Sequence, residues 1–137
     1  MPVTFFLDRS LGKEIVAQAL RAAGADVEIH DDHFPPDAKD EDWLTEVGSL
    51  GWIVLTKDRR FHTRILEISA IARARVRVFK LTAACLQGPE MATIFVKSIP
   101  KIRRFVTGNA APFIATVDRN ARVKLAFSAA KLKRYRS

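Results

Sequence analysis

Residues 3–12 read VTFFLDRSLG. The opening VTFFL is a short apolar run rich in β-formers, and it stops at one acid, Asp8, which marks it as a buried strand. From there Leu11, Ile15, Val16, Ala19, Leu20 and Ala23 recur at helical spacing, with Ser10 read as the N-cap and Gly24 as the stop. Residues 25–29 then form a second strand. This opening unit of strand, helix and strand sets the pattern for the rest of the chain.

Residues 30–39 contain Pro35-Pro36 and cannot be regular, so they form a loop. Asp40 caps the next helix, whose inward face is Trp43, Leu44 and Val47. Glu41 and Asp42 suit its first turn, and Gly48 and Gly51 bracket its end. A third strand over 52–55 runs into Thr56-Lys57-Asp58. A helix over 62–72 and a strand over 76–81 follow. Gly88-Pro89 opens a long helix with Met91, Ile94, Phe95, Ile99 and Ile102 on one stripe, bent or interrupted near Pro100. Residues 112–117 and 121–127 read as two strands around Asp118-Arg119-Asn120. The alternation of Arg73, Arg75 and Arg77 around Ala74, Val76 and Val78 could line a track for nucleic acid, with the solvated face of an edge strand as the default reading. The predicted fold is a single-domain α/β open parallel sheet flanked by helices, with a C-terminal hairpin at one edge. The domain is expected over 1–130; residues 131–137, KLKRYRS, show no apolar pattern and are expected to form a basic, mobile tail.

With 137 residues, 48% hydrophobic and 28% charged, the chain suits one domain with a substantial core. No apolar run approaches the ~18 residues of a membrane helix, and the first residues lack a signal-peptide pattern, so no membrane is expected and the cytoplasm is the expected location. Cys85 is the sole cysteine, which excludes an internal disulfide and a thiolate zinc cage within one chain. Charge is divided: residues 1–58 carry twelve acids against five bases, and residues 59–137 three acids against eighteen bases. Folded as one domain, this sets a carboxylate cluster beside a surface that attracts polyanions.

Ligands of open α/β sheets bind outside the carboxyl ends of the strands. Asp8 follows the first strand, Asp31 and Asp32 the second, Asp58 the third, and Asp40 begins the helix leading into the third. Taken singly, Asp40 reads as an N-cap and Asp58 as a turn residue. As a set they would repel one another unless a cation neutralised them, and hard oxygen ligands point to Mg2+ or Mn2+. His30, His33 and His62 match no ligand spacing and read as loop or surface residues, while Trp43 and Trp52 read as core.

The run FFLDRSLG, with Ser10 two residues after Asp8, resembles the opening of PIN-domain ribonucleases. VLTKDRRFH, with Thr56, Asp58 and Phe61, resembles their late acidic motif, and KDEDWL the middle motif of shorter PIN-like proteins related to VapC-type toxins. The likeness covers about residues 3–81. It implies a PIN-like fold and a divalent-metal-dependent endoribonuclease leaving a 5′-phosphate and a 3′-hydroxyl. By it, Asp8, Asp40 and Asp58 are the catalytic metal ligands, with Glu41, Asp42 and Asp31 as alternates and Ser10 and Thr56 as hydroxyl support. Arg59 and Arg60 would grip the substrate phosphate, and Arg103, Arg104, Lys131, Lys133, Arg134 and Arg136 would add RNA contacts. The expected partners are RNA, a cognate antitoxin and a second copy of the chain.

Two rival readings stand beside this one. Asp58 after a third strand suits a receiver-domain phosphoacceptor, but the first strand ends in one acid instead of a pair. A non-catalytic module that docks nucleic acid or an acidic partner would use the same bases without chemistry.

Overall fold

Phe5, Phe6 and Leu7 are all fully buried, because the strand they form is covered on both faces. The computed structural model of the chain describes residues 3–58 and 60–136, except for the side chains of Arg60 and His62. β1 (Thr4–Leu7) leads through a 3-10 turn (Arg9–Leu11) to α1 (Ile15–Ala22) and β2 (Asp26–Ile29). A second 3-10 turn (His30–Asp32) and a loop precede α2 (Asp40–Leu50) and β3 (Ile53–Thr56). Next come α3 (Arg60–Thr63), α4 (Ile65–Ala74), β4 (Arg77–Leu81) and α5 (Gly88–Gly108). The chain closes with the hairpin of β5 (Phe113–Val117) and β6 (Val123–Phe127), then α6 (Ala129–Leu132) and a last 3-10 turn (Lys133–Tyr135).

The six strands lie in the order β2-β1-β3-β4-β5-β6, parallel except for β6, which runs antiparallel to β5 at the edge. The pleat divides the core. Phe5 and Leu7 face α1 and α5, among Val16, Leu20, Phe95 and Ile102. Phe6, Val54 and Val78 face α2 and α4, among Trp43, Leu44 and Ile71. The α/β sheet with helices on both faces and a terminal hairpin is the architecture the alternating pattern predicts.

Several local expectations change. Ser10 caps no helix: it sits in the first 3-10 turn, Gly12 takes φ 77, and α1 begins only at Ile15. Asp40 is the first residue of α2, with Lys39 in the cap position. Gly48 lies inside α2, where any Cβ would run into the Ala74 carbonyl; the left-handed Gly51 ends the helix. α5 runs through Pro100 without a break, started by a capping box between Gln87 and Glu90. β4 is a central strand, so Arg77 is not on a sheet edge; Arg73 and Arg75 lie at the exposed end of α4.

The tail also differs from expectation. Through residue 135 it is helix and turn, Leu132 is fully buried among the α2 and α4 side chains, and the Tyr135 ring stands 6.1 Å from Phe127. Leu132 and Tyr135, three apart in a basic segment, are too few to read as a periodic apolar face, yet both pack against the core.

Candidate active site

From β1 the chain crosses to β2 on one side, while β3 lies on the other, so the crevice at the carboxyl ends of β1 and β3 is the topological switch point. Asp8 stands there. Its N–H continues the ladder to the Leu55 carbonyl at 3.1 Å, and the residue is only 7% exposed. The Ser10 hydroxyl donates to Asp8 Oδ2 at 2.8 Å, and the Thr56 hydroxyl to the same oxygen at 2.7 Å. Those hydroxyls also accept: Thr56 Oγ1 from the Asp58 N–H at 2.9 Å, and Ser10 Oγ from the Lys57 N–H at 3.1 Å. The two acid-bearing connections are therefore tied together through a pair of hydroxyls. Burial pushes the Asp8 carboxyl above its ordinary pKa; the Thr56 and Ser10 hydroxyls pull it partly back, and the Asp58 charge adds to the rise.

A cleft of about 350 Å³ opens in front of this pair, lined by Asp8, Asp58, Asp40, Arg9 and Lys39 among others. Asp40 is held by the Trp43 indole N–H, which donates to Oδ1 at 3.0 Å. Arg9 donates to the Pro36 carbonyl at 2.8 Å and so straps the loop after β2 across the cleft. Among the described residues, no three His, Cys, Asp or Glu side chains form a ready cluster for one metal ion.

The structure thus brings Asp8, Asp40 and Asp58 to one cleft with Ser10 at its wall and Thr56 behind Asp8. It does not bring the alternates there. Asp31 pairs with Lys13 at 3.2 Å and Arg9 at 3.4 Å, and the Lys13 ammonium, aided by Arg9, holds its carboxyl below the ordinary value. Glu41 and Asp42 are exposed on α2 outside the cleft lining. Arg59 lies outside the described residues; Arg60 begins α3 just after Asp58. Arg103 and Arg104 are exposed near the far end of α5, where Arg103 lines a cleft with Arg77 and Trp52 at the amino edge of the sheet. Lys131, Lys133 and Arg134 lie in the helix and turn that pack against α4, Arg136 follows them, and the acid cleft is not lined by these four.

The sequence reading passed over Arg9 and Lys39, the bases that do line the cleft, although each adjoins one of its acids. It also missed Lys80, which is 4% exposed on β4 and in register with Thr56, and so on the same face of the sheet. A lysine set between Phe79 and Leu81 in the β-forming run VRVFKL was the available signal. His30 proves buried at 3% exposure, packed among Phe6, Phe34 and Trp43, instead of lying on a surface loop.

A family model described as "PIN like domain" matches residues 3–83. The curated protein "Putative ribonuclease VapC45" of Mycobacterium tuberculosis is 28% identical over 116 residues, covering 82% of this chain and 83% of that protein. No solved structure matches significantly. The matched segment holds β1 to β4 and every acid of the cleft, and the chain belongs to the PIN-like domain family.

Proposed function

We propose that the chain is an endoribonuclease that hydrolyses RNA phosphodiesters with Mg2+ or Mn2+ and acts as the toxin of a toxin–antitoxin pair. One observation carries the reading: a buried carboxylate, Asp8, oriented by two hydroxyls at the switch point and facing a cleft shared with Asp58 and Asp40. The similarity to a protein named as a ribonuclease of the VapC group supports the substrate class and the toxin role.

The donor set fits a hard divalent ion by its chemistry, since it consists of carboxylate and hydroxyl oxygens, and the raised pKa of Asp8 marks a buried charge that a cation would stabilise. Mg2+ typically keeps several waters and takes only one or two carboxylates plus substrate phosphates, so a ready three-acid cage is not needed. Asp8 and Asp58 would hold the ion, with Asp40 across the cleft. When bound, it would supply a Lewis acid for the phosphoryl oxygen and a lowered pKa for water.

The chain's own residues do the positioning. Ser10 and Thr56 both donate to Asp8 Oδ2 and so fix the orientation of the carboxylate at the cleft wall. Arg9 and Lys39 place positive charge where a bridging strand would carry phosphates. The expected products are a 5′-phosphate and a 3′-hydroxyl, and the expected partner besides RNA is a cognate antitoxin. Cleavage of a labelled RNA by the wild-type chain with Mn2+ or Mg2+, abolished by EDTA and by Asp8→Asn, tests the reading.

A further inference from the structure

The amino edge of the sheet, opposite the acid cleft, gathers arginines that the reaction does not use. α4 ends there with Arg73 in its last turn, Arg75 takes the left-handed cap position, Arg77 opens β4, and the far end of α5 adds Arg103. Two clefts meet at this edge. One, of about 430 Å³, is lined by Arg73, Arg75 and Arg77; the other, of about 530 Å³, by Arg77 and Arg103. Gly51, Trp52 and Arg77 form their shared wall, and among the described residues no carboxylate lines either one. The acids Asp26 and Glu28 line a third cleft beyond Trp52, together with Arg21.

Two of these guanidinium groups are anchored. Arg77 donates to the Gly51 carbonyl at 2.7 Å and Arg75 to the Ala111 carbonyl at 3.3 Å. A guanidinium carries five N–H donors, so one bond to a carbonyl leaves donors for an anion. Arg77 is half-buried, and burial lowers its pKa from the ordinary arginine value. An anion in the cleft would offset that desolvation. Trp52 lies against Phe6, with ring centroids 6.0 Å apart and planes 20° from parallel, and the His33 ring meets it edge-on at 5.2 Å. Planar guanidinium donors beside a fixed indole suit phosphates and a base better than the dispersed carboxylates of an acidic protein.

We propose that this arginine rim is a second binding site for single-stranded RNA, in which Arg73, Arg75, Arg77 and Arg103 contact phosphates beside Trp52. It rests on the ribonuclease reading for the identity of the polyanion. The five-residue β4 sets the two edges of the sheet about 17 Å apart, so only a strand of several nucleotides reaches both. Long RNA therefore binds more tightly than a fragment confined to the acid cleft.

The test uses the full chain in EDTA, so that binding is read without turnover and separately from the cleavage assay. Arg73 and Arg103 are exposed and can be changed without opening the core. Binding of an oligoribonucleotide of about 20 nucleotides, longer than a typical single-strand site, is compared with that of a dinucleotide across a salt series. For the long strand, Arg73→Gln/Arg103→Gln should weaken affinity and make the slope of log K against log salt shallower by roughly 1.4, the loss of two phosphate contacts. Dinucleotide binding should stay unchanged. An unchanged slope for the long strand overturns the proposal. So does an equal loss from Arg119→Gln/Lys124→Gln, exposed bases of the terminal hairpin, which would mean diffuse attraction to a basic protein. Loss of poly-glutamate binding with RNA binding intact would assign the rim to an acidic protein and overturn it as well.

Discussion

At Asp8 a negative charge is buried for the sake of the site and at the expense of the fold. Its pKa is raised by burial, so the folded chain binds that proton more tightly than the unfolded chain does. The ionised form therefore costs stability at neutral pH. That cost vanishes as pH falls from the raised folded-state value to below the ordinary carboxylate value. Asp8→Asn without divalent ions should melt a few degrees above wild type at pH 7, and the gap should close on acidification; melting curves across pH check both. Asp8 and Asp58 were legible in the sequence because each ends or follows an apolar strand. Asp31 was not separable from them, because its pairing with Lys13 and Arg9 depends on the turn that Gly12 makes at φ 77. Ser10 was legible twice, as a helix cap and as a partner of Asp8, and the hydrogen bond to Asp8 is the role it has.

At the scale of elements, the strands were readable because a sheet covered on both faces needs short continuous apolar runs, and β1, β3 and β5 are such runs. The ends of elements were less readable, since they depend on contacts made across the fold. Gly48 looks like a helix stop in sequence, yet its lack of a side chain serves the close approach of Ala74 from α4. The same holds for α6. Leu132 fills a site formed by distant residues, so Leu132→Ala should destabilise the chain by about 2–5 kcal/mol in denaturant unfolding. A loss below about 0.5 kcal/mol would instead mean that the segment frays in solution. Basic side chains on this segment are best probed by Lys133→Gln and Arg134→Gln, because truncation would remove Leu132 from the core along with the charge.

For the whole molecule, the acidic first half and the basic second half fold onto one sheet, with Asp8, Asp40 and Asp58 at its carboxyl edge and an arginine rim at its amino edge. Among the described residues no helix is long and apolar enough to cross a membrane. If the acid cleft holds a divalent ion only when folded, Mn2+ should raise the melting temperature progressively. The stabilisation should reach about 2.7 kcal/mol at a hundredfold excess over Kd, and Asp8→Asn should flatten it. A thermal melt series in Mn2+ checks this, and a wild-type melt indifferent to millimolar ion would favour a binding module without metal chemistry. The most direct test is single-turnover cleavage of RNA by wild type, Asp8→Asn and Asp58→Asn, each with Mn2+ and with EDTA. The account predicts Mn2+-dependent cleavage by wild type, products with a 5′-phosphate, and at least about a hundredfold loss in both variants while they remain folded. Cleavage by Asp8→Asn at the wild-type rate, or by wild type in EDTA, would contradict it.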